Sequence, residues 1–192
     1  MMFDATYCKE SKKIHGLNNQ FIQLVKHLLW QGQTIDLNEV LNLPAEESKA
    51  LAALSPMAIE ELLSSRATTL FAVEVCETEL QTLMCRQQAS KTSSLHGVIK
   101  YHSALLALAE NPARSFLKNL FIELQHWGAF STNTSYRFSM AQWQIQHIAE
   151  LDTESLVQLA QSPRSTLRPK FNLAQLNALG KTGLVPAGLL FD

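Results

Sequence analysis

Apolar residues recur at three- and four-residue steps through most of this chain. Between 17 and 31 the positions are Leu17, Phe21, Leu24, Leu28 and Trp30, with Val25 and Leu29 beside them. That spacing predicts an amphipathic helix, and Gly32 is its expected stop. A second helix is expected from Pro44 to about Leu54, with Glu46 and Glu47 suited to its positive N-terminal end. Ser55-Pro56 reads as an N-cap followed by Pro at the first helical position, opening a third helix over about 56–64. Leu70 to Val75 alternates and contains β-branched valines, so it reads as an extended segment. Glu77 to Gln88 returns to helix.

Residues 89–94 (ASKTSS) are small, polar and unpatterned and read as a linker. A helix over about 95–110 is expected next, broken at Asn111-Pro112. The order of elements then recurs. Phe116, Leu117, Leu120, Phe121, Leu124 and Trp127 mark a helix ending at Gly128. Helices over 139–151 and 152–161 follow, the second with Asp152 as its N-cap. Residues 167–171 alternate again, and 180–192, with Gly180, Gly183, Pro186 and Gly188, read as an irregular tail.

A shift of 97 residues aligns the two halves without gaps from 41 to 75. Leu43 falls on Met140, Leu51 on Ile148, Leu54 on Leu151, Ser55 on Asp152, Leu62 on Leu159 and Leu70 on Leu167. Upstream, Trp30 falls on Trp127. The fold class expected is mostly α: two repeated helical modules, 1–88 and 95–179, forming a pseudo-symmetric pair, with short extended segments near 70–75 and 167–171. Two repeats are too few for a solenoid. They suit modules that bury their apolar faces on each other, within one chain or in a homodimer.

Hydrophobic residues make up 46% of the chain and charged residues 17%, so a real core can form and the composition argues against wholesale disorder. No apolar run approaches the length that spans a bilayer. Residues 1–16 lack the apolar stretch of a signal peptide, so a cytoplasmic protein without membrane contact is expected. The charge is uneven. Residues 34–80 hold nine carboxylates against Lys49 and Arg66, a balance of −7, which leaves +6 for the remainder of a chain whose total is −1. Phosphate would be repelled by that first half.

The stretches LNNQFIQLVKHLLWQGQ (17–33), LNLPAEESKALAALSP (41–56) and IEELLSS (59–65) followed by LFAVEV carry a family resemblance. Over about 17–83 the chain resembles FlhD, the family of subunits of the bacterial flagellar master transcription regulator. The second module, about 116–180, resembles it more weakly. An uncharacterised FlhD-related family of integrative and conjugative elements is similar too. The resemblance implies a helical fold, paired modules and transcription regulation beside a DNA-contacting partner. FlhD works with FlhC, which supplies cysteine-bound zinc. This chain has no such cysteine cluster and is not both subunits fused. It also departs from FlhD in being tandem and in lacking a basic C-terminal arm.

Catalytic motifs are absent. There is no G-x-G-x-x-G, no Walker A loop and no H-E-x-x-H, so neither an enzyme nor a cofactor is expected. Cys8, Cys76 and Cys85 are odd in number and have no C-x-x-C spacing, and Cys76 and Cys85 have no His at ligand spacing, which supports neither a disulfide framework nor a metal; such cysteines are expected to act as small hydrophobes. Six scattered histidines read as surface or core-edge residues. The candidate DNA contacts are Arg164, Arg168 and Lys170, with Arg137 nearby. Glu60 and Glu61 are a candidate acidic face for a basic protein partner. Trp30, Trp127 and Trp143 are expected in the core or a module interface. Two functions remain open: a transcription-regulatory component that binds DNA weakly or through a partner, and an adaptor or chaperone for a secretion or conjugation system.

Overall fold

The computed structural model describes residues 3–90, 111–128 and 133–184. The expected helix over 95–110, most of the 89–94 linker and the end of the tail lie outside them. Within them the protein is mostly α-helical, with two short strands, and no helix is long and apolar enough to cross a membrane.

The described helices form two compact units. The first comprises residues 1–72 and 168–192. Its α1 (Phe3–Trp30) starts well before the apolar stripe, and buries Ile14, Leu17, Phe21, Val25 and Leu28. The helix ends as the sequence requires: Gly32 sits at φ +70, the Gly32 N–H reaches Leu29 O and the Gln33 N–H reaches Leu28 O. This pair of bonds is a Schellman closure, which needs a left-handed residue. A short helix α2 (Thr34–Glu39), which the periodicity did not mark, buries Leu37. Then come α3 (Ala45–Ala52) and α4 (Pro56–Ser64). Ser55 caps α4, its Oγ accepting from the Ala58 N–H at 3.2 Å.

The second unit is residues 73–167. It contains α5 (Glu77–Ser90), α6 (Pro112–Gly128), α7 (Thr134–Phe138), α8 (Gln142–Glu150) and α9 (Thr153–Gln161). Asp152 caps α9 by accepting from the Ser155 N–H at 2.8 Å. Asn111 does the same for α6 through the Arg114 N–H at 2.9 Å. The core joins Leu117, Phe121, Leu124, Ile145, Ile148 and Leu156, and Trp127 meets Phe138 edge-on at 5.4 Å.

The strands β1 (Phe71–Glu74) and β2 (Thr166–Pro169) form a two-stranded sheet. The Lys170 N–H donates to Leu70 O at 2.9 Å, and the Thr166 hydroxyl to the Glu74 carboxylate at 3.5 Å. One strand's numbers rise as the other's fall, so the pair is antiparallel. The unit boundary passes through the middle of both strands.

The last element is α10 (Leu173–Thr182), where the sequence suggested a module end at 179 and irregular chain from 180. Asn172 and Gln175 bond each other's backbone N–H groups in a capping box, and Gly183 closes the helix at φ +68. This helix packs on α3 in the first unit, whereas α5 packs on α8 and α9 in the second. Each unit is thus completed by the helix that follows the other half's strand, and neither unit matches a continuous half of the sequence.

Several features recur 97 residues apart. Shifted by 97, α4 coincides with α9, and α3 with all but the last residue of α8. Among the described residues the left-handed non-glycine positions, Asn42 (φ 48) and Ser139 (φ 52), are also 97 apart. Buried positions coincide: Leu37 with Thr134, Val40 with Arg137, Leu41 with Phe138, Leu43 with Met140 and Leu51 with Ile148. The first helix breaks the rule. Leu17, Phe21, Leu24, Val25 and Leu28 correspond in burial to Ala113, Leu117, Leu120, Phe121 and Leu124, which is a shift of 96. One residue turns a helix by about 100°, so Trp30 and Trp127 face differently. Trp127 is buried, but Trp30 is 84% exposed, so of the two places expected for it, core or module interface, it does not take the core. Trp143 is half-buried.

Candidate functional site

Of the four basic residues proposed to face DNA, one is buried and the other three divide between the two units. Arg137 is 4% exposed, in the core position that Val40 holds in the other half; a guanidinium so enclosed cannot reach a phosphate, and Arg137 is withdrawn from the candidate surface. Arg164 is exposed on the turn after α9, in the second unit. Arg168 is exposed and Lys170 half-buried, and both belong to the first unit.

The acidic candidates lie together. Glu60 and Glu61 are both exposed on α4. Met57, one turn earlier on the same helix, is 75% exposed. Its Cε lies 3.8 Å from where a Cβ on Gly183 would stand, and the next residue, Leu184, is 68% exposed. Met57, Glu60, Glu61 and Ser64 follow the 3–4–7 spacing of a single helix stripe. The first unit therefore carries an apolar spot bordered by two carboxylates.

A second site went unread in the sequence. Cys76 immediately precedes α5. It is half-exposed, and Cys85 is exposed, so neither is the buried small hydrophobe expected. The Cys76 sulfur lies 3.1 Å from the Thr78 hydroxyl and 3.6 Å from an Arg164 guanidinium nitrogen. Hydrogen bonds to the sulfur from the Thr78 hydroxyl, the Glu79 backbone N–H and the Arg164 side chain hold the thiol down at about 7, against an ordinary 9.0. Each favours the thiolate by placing positive charge or a donor against it.

Beside this cysteine runs a groove of about 440 Å³ between α5 and the turn after α9, lined by Thr78, Glu79, Thr82, Arg86, Gln158 and Arg164 among others. Its shape is set by a short bond from the Ser162 hydroxyl to the Glu79 carboxylate at 2.5 Å, while Ser162 Oγ accepts from the Arg164 N–H at 3.1 Å. All these residues belong to the second unit.

No family model, curated protein or solved structure matches this chain.

The chemistry available is thus that of one activated thiol beside a polar groove, together with an acidic-apolar face elsewhere. No group of three or more metal-binding side chains occurs among the described residues. His126 and His147 bond backbone carbonyls one turn earlier, Ile122 O at 2.6 Å and Trp143 O at 2.7 Å, which suits local helix packing rather than catalysis. His96 and His102 lie outside the described residues. Cys76 was missed because its partner Arg164 is 88 residues away; the only local signal was a cysteine followed by Glu-Thr-Glu at a helix start.

Proposed function

We propose that this chain is a non-catalytic component of a regulatory assembly, one that docks a protein partner and reaches DNA through it. The observation carrying this reading is the α4 stripe, in which Met57 stands exposed beside Glu60 and Glu61. An apolar anchor with carboxylates at its rim suits the basic amphipathic helix of a partner. The −7 balance of residues 34–80 adds to the attraction and opposes direct contact with phosphate. The loss of Arg137 to the core weakens the case for a DNA patch on this chain. The resemblance to FlhD rests on the residues quoted for it alone. With it, the coincidences 97 residues apart support a tandem duplication whose halves pair in a pseudo-symmetric way.

Two titrations test the reading. Labelled duplex DNA followed by fluorescence anisotropy is expected to bind weakly at low salt and not at physiological salt; tight, salt-resistant binding would sink it in favour of direct DNA contact. A labelled basic amphipathic helical peptide is expected to bind, and the pair Glu60→Lys and Glu61→Lys to weaken it by about tenfold. The same acidic stripe favours a second reading, an adaptor or chaperone for a secretion or conjugation system. That reading applies if the partner, once found, brings no DNA with it.

A further inference from the structure

We propose that the groove of the second unit binds a small disulfide bearing carboxylates, and that Cys76, whose sulfur is held by the groove-lining Thr78 and Arg164, exchanges with it to form a mixed disulfide. The argument begins with the cavity. Its volume of about 440 Å³ accepts a small peptide-sized molecule. Arg86 reaches it from α5 and Arg164 from the turn after α9, so two cations come from elements far apart in sequence. The exposed Arg86 side chain makes no hydrogen bond or ion pair among the described residues, which leaves its fork of donors for an incoming carboxylate. The one carboxylate on the wall, Glu79, is engaged by the Ser162 hydroxyl. Thr82 and Gln158 add neutral polar groups.

Arg164 joins the cavity to the thiol. It lines the groove and lies 3.6 Å from the Cys76 sulfur. A ligand whose carboxylates meet the arginines therefore brings its sulfurs toward Cys76. The Cys76 thiolate attacks one sulfur of the disulfide. A Cys76 S–S bond forms, the original S–S bond breaks, and the departing thiolate takes a proton from water. Cys76 is oxidised and the departing half is reduced, so the exchange balances without another reagent. Near neutral pH about half of the Cys76 is thiolate. Allowing for the lower nucleophilicity of a more acidic thiol, it should react about fivefold faster than an unperturbed exposed cysteine.

The test uses the full chain with oxidised glutathione and, in parallel, the neutral 2-hydroxyethyl disulfide, read at neutral pH by intact mass and peptide mapping. Cys85, exposed on α5, is the internal reference. The expected result is that Cys76 reacts with oxidised glutathione ahead of Cys85, and prefers it to the neutral reagent more strongly than Cys85 does. Arg86→Gln and Arg164→Gln should remove that extra preference, since the ratio of the two reagents cancels any change in thiol acidity. Equal rates at Cys76 and Cys85 would overturn the proposal. So would an anionic preference that both arginine variants retain.

Discussion

Asn18 illustrates how much one side chain can hold. It is fully buried in α1; its Nδ2 donates to Thr68 O at 3.0 Å and its Oδ1 accepts from the Leu70 N–H at 2.7 Å. It fixes the chain entering β1 from 50 residues away. In the other unit Arg114, 96 residues on, donates to Ser162 O at 2.6 Å and Ser165 O at 2.9 Å. Thr68 and Ser165 are 97 apart, so the two clamps grip corresponding carbonyls with different chemistry. Asn18→Leu should leave a buried N–H and a buried carbonyl without this partner, lowering stability by about 2–4 kcal/mol in urea titration. Cys76 gives a residue-scale prediction in pH. A lowered thiol value means that reactivity is gained as pH rises through about 7. Iodoacetamide labelling of the folded chain should be half-maximal near there and move up toward the ordinary 9.0 in denaturant. The groups around the sulfur are Thr78, Glu79 and Arg164, and Arg164→Gln should move the folded midpoint upward.

At the scale of elements, caps and breakers decide where helices begin and end. Gly32 and Gly16 make opposite predictions. Gly32 holds φ +70 at the α1 terminus, so Gly32→Ala should destabilise by about 1 kcal/mol. Gly16 lies inside the helix, and a Cβ there would meet nothing within 4 Å. Gly16→Ala should therefore stabilise by about 0.5–1 kcal/mol, mainly by restricting the unfolded chain; thermal melts of the two variants should shift in opposite directions. The caps at Ser55 and Asp152 were legible because a short polar side chain before an apolar run has few other uses. Helix α10 was overlooked because Gly180 and Gly183 suggested irregular chain, although Asn172 and Gln175 spell a capping box three residues apart. Gly183 ends a helix rather than marking irregular chain.

At the scale of the whole molecule, the exchange of last helices ties the two halves together. Because α10 completes the first unit and α5 the second, cutting a protease site engineered between Ser90 and Asn111 should yield two fragments that stay associated. They should co-elute in gel filtration under native conditions and separate only in denaturant. Fragments that part without denaturant would contradict the packing of α5 on α8 and of α10 on α3.

By itself the sequence determined the mostly helical character, the principal helix faces, the α4 and α9 caps, the two extended segments and the exposure of Glu60 and Glu61. These depend on periodicity and on contacts three or four residues apart, which are local and readable. Tertiary structure alone decided that Arg137 lies in the core, that Trp30 faces outward, that α5 and α10 change places and that Arg164 meets Cys76. Each of these depends on what arrives from a distant part of the chain. A one-residue slip in the first helix leaves the spacing of apolar residues intact while turning the face that the rest of the chain must cover.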